Sequence, residues 1–277
     1  MKRILVPCDF SKASQEAFKM AVGLAAKANG KITVLHVIYI STIYDPNSIG
    51  DAGFSQPFFD TMEEDAEKAF EKLKKEHSKN TPIELETTVG GLIESITRVT
   101  EEKNIELVVM GTSGSSGIEE FVIGSNTEKI VRFSKVPVLA VRKATDVIQL
   151  KQILLPTTGD LDQTEFIAKV KELQRFLNAR LHILLINTPS AFMRDAEGKE
   201  RLEEFAKHYQ LNDYELHFRS YRKEEEGIID FAQSNDIDLI VMATHSRKGL
   251  AHLFTGSVTE GVVNHIQSPV WTFSVKK

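Results

Sequence analysis

Residues 105–112, IELVVMGT, run directly into SGSSGIEEFVIGSNTEKIV (113–131), and the reading of this stretch decides the fold. An apolar run of strand length empties into a hydroxyl-rich segment with glycines at 111, 114, 117 and 124, after which NTEKIVRFSK has the pattern of a helix. An imperfect copy follows later, where IDLIVMAT (237–244) leads into HSRKGLAHLFTGS (245–257). Working outward from this pair, other segments recur in the same order. RILVPCDFS (3–11) returns as QILLPTTGD (152–160), GKITVLHV (30–37) as ARLHILLI (179–186), and KVPVLAV (135–141) as SPVWTF (268–273). The chain therefore reads as a tandem duplication of one domain of about 140 residues, a common domain size. The join falls near KATDVIQ (143–149), which sets the domains at 1–145 and 150–277.

Within each half, short Val/Ile/Leu runs alternate with longer amphipathic segments. SKASQEAFKMAVGLAAKANG (11–30) places Ala13, Ala17, Met20, Ala21 and Leu24 at helical spacing, with Ser11 as N-cap and Asn29-Gly30 as stop. DTMEEDAEKAFEKLKKEHSK (60–79) repeats the pattern with Met62, Ala66, Ala69, Phe70 and Leu73. The strands are nearly continuous in apolar residues, as expected when helices cover both faces of a sheet. The predicted fold class is α/β, two tandem doubly wound five-stranded parallel-sheet domains, each β-α-β-α-β-α-β-α-β. The Pro-headed runs VPVLAV and SPVWTF suit strand starts or sheet edges. The segment 39–59 carries Tyr39, Tyr44, Phe54, Phe58 and Phe59 and is 17 residues longer than its counterpart. It reads as a lid or partner surface, or as a loop packed on its own domain.

Composition narrows the classes of function. The 277 residues have a net charge of -5, 42% hydrophobic and 26% charged residues, and a pI near 6.0. That balance leaves no basic footprint for nucleic acid, and no apolar run approaches the roughly 20 residues that cross a bilayer. MKRILVPCDF is too short and too soon interrupted for a signal peptide. One cysteine, Cys8, excludes an intrachain disulfide, and a cytoplasmic location is expected.

In open α/β sheets, ligands bind beyond the carboxyl ends of the strands where strand order reverses. Gly111 and Gly114 follow such a strand end, and glycine lets backbone N–H groups approach an anion closely. Gly124-Ser125 precedes a helix start, which offers unpaired N–H groups and a partial positive charge to phosphate. The alternative is a common glycine-rich turn with Ser125 as a simple cap. No GxxxxGK[ST] is present, and the first strand ends in Pro7-Cys8-Asp9 instead of a dinucleotide glycine fingerprint.

The spacing Gly-x2-Gly-x9-Gly-[ST], after a strand ending in [IV]MG and before a Val-Pro-Val strand, resembles the universal stress protein family. RILVPCDFS resembles that family's first strand with its aspartate, and VGGLIESI (89–96) its turn into the third helix. The resemblance covers essentially the whole chain twice. It implies a Rossmann-like, adenine nucleotide alpha hydrolase-like fold and an ATP site, with AMP or ADP as variants and Mg2+ as a companion. Carried over by position, Pro7 and Asp9 meet the adenosine part near the backbone of Val37 and Ile38. Met110 and Thr112 line the entry, and Gly111, Gly114, Gly124, Ser125 and Asn126 surround the phosphates. Asp9 can equally cap the helix beginning near Ser11. In the second half Ala243 and Ser246 replace Gly111 and Gly114, and Thr158 replaces Asp9, while Gly256-Ser257 survives. One competent nucleotide site, in the first half, is the expectation.

The implied function is a nucleotide-binding stress-response or signalling protein; the alternative is a slow ATPase or adenylyl-transferring enzyme. Against catalysis, the glycine loop lacks a lysine, an evident general base and an acidic metal cluster, and Glu119 and Glu120 read as exposed acids. In the family the last strand mediates dimerisation, so the two halves are expected to form an intrachain pseudo-dimer or to pair with another chain as a homodimer, beside an unidentified protein partner. Among the eight histidines none shows a metal-ligand spacing. His36 reads as a core histidine, His245 and His252 as weakly spaced loop residues, and Cys8 as a small buried hydrophobe.

Overall fold

The alternation of strand-length apolar runs with 3.6-period segments folds as the pattern requires. The computed structural model of the protein describes residues 1–39, 56–78, 80–112, 125–245 and 256–275. The first half runs β1 (Arg3–Pro7), α1 (Lys12–Ala28), β2 (Lys31–Ile38), α2 (Gln56–His77), β3 (Ile83–Val89), α3 (Leu92–Glu102), β4 (Leu107–Gly111), α4 (Ser125–Phe133) and β5 (Val138–Val141). A 3₁₀ turn at Val147–Gln149 leads into the second half. There the order is β6 (Gln152–Pro156), α5 (Thr164–Leu177), β7 (Arg180–Asn187), α6 (Asp195–His208), β8 (Tyr214–Ser220), α7 (Glu224–Ser234), β9 (Leu239–His245), α8 (Gly256–His265) and β10 (Val270–Val275).

The helix signals act as their chemistry dictates. Ser11 holds extended dihedrals and accepts a hydrogen bond from the Ser14 amide, which caps α1. Asn29 ends the helix in the left-handed conformation at φ 48°, tolerable for asparagine. The α1 stripe buries Ala17, Met20, Ala21 and Leu24, and adds Ser14 and Phe18; Ala13 is only half-buried. The second helix begins at Gln56, four residues before the expected Asp60. Of the aromatic segment 39–59, Tyr39 is highly exposed, residues 56–59 open α2, and Tyr44 and Phe54 lie outside the described residues.

The ten strands among the described residues form one sheet in the order β3-β2-β1-β4-β5-β10-β9-β6-β7-β8. Within each half the pairing is parallel, and the halves meet through an antiparallel pair, with Val270 opposite Ala140, Trp271 opposite Leu139 and Thr272 opposite Val138. The two Pro-headed strands are therefore edges only within their own halves. Joined, they become the buried centre of the sheet, and the intrachain pseudo-dimer covers the backbone groups that an edge would expose. The true outer strands are β3 and β8, whose sequences IELETTV and YELHFRS carry charge because each is only partly covered.

Helices cover both faces. One apolar cluster runs across both halves beneath α1, α2, α5 and α6. The opposite face is split, with α3 and α4 over the first half and α7 and α8 over the second. Among the described residues no helix is long and apolar enough to cross a membrane. Strand order reverses between β1 and β4, paired at Ile4–Leu107 and Leu5–Val108, and again between β6 and β9. These two crevices are where such sheets take ligands.

Candidate functional site

At the first crevice β1 ends in Pro7, hydrogen-bonded register placing it beside Leu35 of β2, and Asp9 follows on the loop into α1. The Ser11 amide donates to Asp9 Oδ1 at 3.0 Å. Shielding of the carboxyl works against ionisation, and hydrogen bonds from Ser11 and Ser14 outweigh it, holding Asp9 below its ordinary value. An anion is thus fixed at the strand end while its tip stays exposed. Cys8 beside it is buried and donates to Ser14 Oγ at 3.4 Å; burial pushes its thiol up, so it remains a neutral small side chain.

Between Asp9 and the helix, Phe10 sits at φ 60°, a left-handed conformation rare for a bulky residue. Its ring packs on His36 with centroids 5.1 Å apart, and His36 Nδ1 lies 2.9 Å from the Cys8 carbonyl oxygen. A carbonyl only accepts, so Nδ1 carries the proton. His36 is half-buried rather than fully in the core. Val37 and Ile38 close β2, with the Ile38 carbonyl accepting from Gly90.

Gly111 closes β4. Its requirement for glycine is steric, not a positive φ: a Cβ there would lie 2.6 Å from the Ala13 carbonyl carbon and oxygen. The strand end and the first turn of α1 are in backbone contact. Met110 is buried. The Thr112 amide donates to the Val141 carbonyl, while its buried Oγ1 has no hydrogen-bond partner among the described residues. Ser125 is the first residue of α4, Asn126 is exposed in its first turn, and Thr127 Oγ1 donates to the Gly111 carbonyl at 2.9 Å. That bond ties the helix start to the strand end. The structure thus brings Pro7, Asp9, Val37, Ile38, Met110, Gly111, Thr112, Ser125 and Asn126 to one rim; Gly114, Gly124, Glu119 and Glu120 lie outside the described residues.

The second crevice has the same skeleton and different contents. Gly159 takes the place of Phe10 at φ 78°. Thr158, in the place of Asp9, turns its hydroxyl to Asp160 Oδ2 at 2.6 Å, and Arg201 holds the other oxygen at 2.6 Å. Ala243 replaces Gly111, and α5 opens at Thr164, three residues later in register than α1. A cavity of about 20 Å³ remains among Pro156, Thr157, Leu184, Ile186, Glu224, Ile228, Met242 and Val258, room for about one water. Desolvation there raises the Glu224 carboxyl to about 7. By position Glu224 stands for Leu92 and Val258 for Asn126, so the second half puts an acid where the first has an apolar side chain and an apolar side chain where the first has an exposed amide. Ser246, Arg247, Lys248 and His252 lie outside the described residues, as does the His245 side chain.

Residue-by-residue motif reading missed Ser14, Phe10, Thr127 and Glu224. The duplication itself carried the signal for Thr127, since GSNTE and GSVTE keep the same threonine. Glu224 gave none, because an acid at a helix start is ordinary.

Comparison with known proteins adds the family. A family model described as the Universal stress protein family matches residues 1–142 and again 149–274. A universal stress protein of Methanocaldococcus jannaschii is 29% identical over 143 residues, covering 51% of this chain and 82% of the relative. A second from the same organism is 27% identical over 154 residues, covering 51% and 95%. The crystal structure of a universal stress protein from Archaeoglobus fulgidus covers 99% of this chain and 98% of its own, with a TM-score of 0.75 at 20% identity, a likeness of fold.

Proposed function

Because the chain belongs to the universal stress protein family in both of its halves, we propose that it is a stress-response protein whose amino-terminal half binds an adenine nucleotide. ATP is the proposed ligand, with AMP and ADP as lesser ones, and the chain acts as a binder and signalling element in a reducing compartment such as the cytoplasm. The observation that carries the reading is the contrast between two crevices of one skeleton. The first presents the ionised Asp9, the close-packed Gly111, a buried Thr112 hydroxyl without a partner among the described residues, and a helix start tied to the strand end by Thr127. Such a donor set fits a nucleotide: a carboxylate accepts from ribose hydroxyls, and free amides at a helix start receive phosphate oxygens. The second crevice narrows to a cavity of about 20 Å³ among mostly apolar side chains and holds Glu224, whose carboxyl, raised to about 7, is part-ionised at neutral pH and opposes a polyanion.

In this assignment Pro7 and Asp9 meet the adenosine part near the backbone of Val37 and Ile38, and Met110 and Thr112 line the entry. Gly111, Gly114, Gly124, Ser125 and Asn126 receive the phosphates, and Mg2+ travels with ATP as its usual counter-ion. Pairing of β5 with β10 inside one chain supplies the junction that a homodimer would otherwise make, so the single chain is the proposed functional unit. Native mass spectrometry of the purified protein and calorimetric titration with ATP test the reading. Adenine nucleotide at one equivalent per chain is expected, with at least tenfold weaker binding in Asp9→Asn. Absence of any adenine-nucleotide binding by the unaltered chain refutes the proposal, and full affinity in Asp9→Asn refutes the role given to that carboxylate.

A further inference from the structure

On the last two strands of the sheet in the second half, β7 and β8, three metal-ligand types converge. Parallel register places His182 of β7 opposite Glu215 of β8 and Leu184 opposite His217. Period-two alternation sends His182, Glu215 and His217 to one face, where the Phe231 ring of α7 lies 4.7 Å from the His217 ring. His182 Nδ1 and His217 Nε2 are 3.1 Å apart. Glu215 Oε2 lies 3.9 Å from the first and 3.8 Å from the second. Among the described residues this is the one group of three or more such side chains with ligand atoms mutually in reach.

We propose that His182, His217 and Glu215 form a binding site for a late first-row divalent cation of the Zn2+ class. Zn–N distances of about 2.0–2.1 Å in tetrahedral geometry separate two ligand nitrogens by about 3.3 Å. The imidazole pair is already at that separation within a few tenths of an ångström. The carboxylate has roughly half an ångström to close, a small torsion for a side chain that is 47% exposed. Two imidazoles and one carboxylate suit zinc and its neighbours better than Mg2+ or Ca2+, which take oxygen sets. Three protein ligands leave a fourth position for water.

The outer partners point the same way. His182 Nε2 lies 2.8 Å from Gln152 Oε1; the amide oxygen accepts, so Nε2 carries the proton and Nδ1 keeps its lone pair for a ligand. Arg180 Nη1 holds Glu215 Oε1 at 2.9 Å, which leaves Oε2 turned toward the histidines. In the free protein His217 Nε2–H donates to His182 Nδ1. On metal binding that proton moves to His217 Nδ1, the imidazole stays neutral, and Nε2 becomes a ligand.

An independent observation comes from the duplicate. The corresponding positions in the first half are Thr33, Glu84 and Glu86, on the same register of β2 and β3. There Lys103 Nζ sits 2.8 Å from both Glu84 and Glu86, so the first half fills this place with its own cation. Lys103 is the C-cap of α3, and the matching C-cap of α7 is Asn235, whose amide donates to the Phe231 carbonyl instead. The second half has kept the carboxylate, lost the ammonium and gained two imidazoles.

The test is titration of the full-length, chelator-stripped protein with Zn2+ against a chromophoric competitor, and with Co2+ for its visible spectrum. Expected are one equivalent per chain, micromolar or tighter, a tetrahedral Co2+ signature, and at least tenfold weaker binding in His182→Gln and in His217→Gln. His245→Gln/His252→Gln should bind as the unaltered chain does. Far-UV circular dichroism and melting of each variant without metal establish that it folds. Should a variant not fold, histidine proton resonances of the unaltered chain on Zn2+ addition replace it, and shifts confined to residues other than His182 and His217 overturn the site. No stoichiometric binding, or stoichiometric binding undiminished in His182→Gln and His217→Gln, also overturns it.

Discussion

Replacing Glu224 by glutamine tests the closed second crevice through the pH dependence of stability. Glu224 opens α7 and faces Pro156, Leu184, Ile186, Ile228 and Met242 around the small cavity. Desolvation raises its carboxyl from 4.5 to about 7 in the folded chain. The unfolded chain ionises near 4.5, so between about 4.5 and 7 the folded state holds the extra proton. Stability therefore falls as pH rises through that window, and is level above and below it. The full shift corresponds to a ceiling of about 3 kcal/mol. Solvent around a partly covered side chain and the favourable helix N-terminus reduce this to about 1–2 kcal/mol. Glu224→Gln should accordingly match the unaltered protein near pH 5 and exceed it by about 1–2 kcal/mol at pH 8. Glu224→Leu, which installs the first half's residue, should gain at least as much at pH 8. Urea unfolding across pH 5–8, taken as the difference between variant and parent, cancels the other titrating groups. A difference that does not change with pH, or that favours the parent at pH 8, refutes the reasoning.

Two further changes probe the frame around the sites. Gly111→Ala forces a methyl into the Ala13 backbone at 2.6 Å and should cost about 1–3 kcal/mol, read from the urea midpoint, whereas Ala243→Gly should cost about 1 kcal/mol or less; equal stability of Gly111→Ala and the parent contradicts the packing argument. Trp271→Ala empties a buried position at the β5–β10 junction, against Phe166 and Phe273, and should cost about 3–5 kcal/mol in circular-dichroism melts, while a loss under about 1 kcal/mol would show that the junction contributes little.

The architecture was legible because duplication shows the same strand–helix order twice, and because fully covered parallel strands leave continuous apolar runs such as LVVM and LIVM. The caps at Ser11 and Asn29 were legible for local reasons, since each acts on its own backbone. Pairing of VPVLAV with SPVWTF inside one chain was one of two options, and strand composition does not distinguish a cis from a trans edge partner. The steric reason for glycine at 111 was not legible, because the obstacle is Ala13, nearly a hundred residues earlier, and a motif carries no record of that contact. Thr158 and Ala243 announced a changed second crevice; its closure by Glu224 depends on which way a helix-start acid turns. The His182–Glu215–His217 group was invisible, as His182 and Glu215 are brought together only by strand register.

The central claim is that one half kept the nucleotide site and the other kept the fold. Calorimetric titration of ATP into the unaltered chain, Gly114→Trp and Ser246→Trp tests it most directly. The account predicts one equivalent per chain, lost in Gly114→Trp and retained in Ser246→Trp. Two equivalents in the unaltered chain, or retention in the first variant with loss in the second, would contradict it.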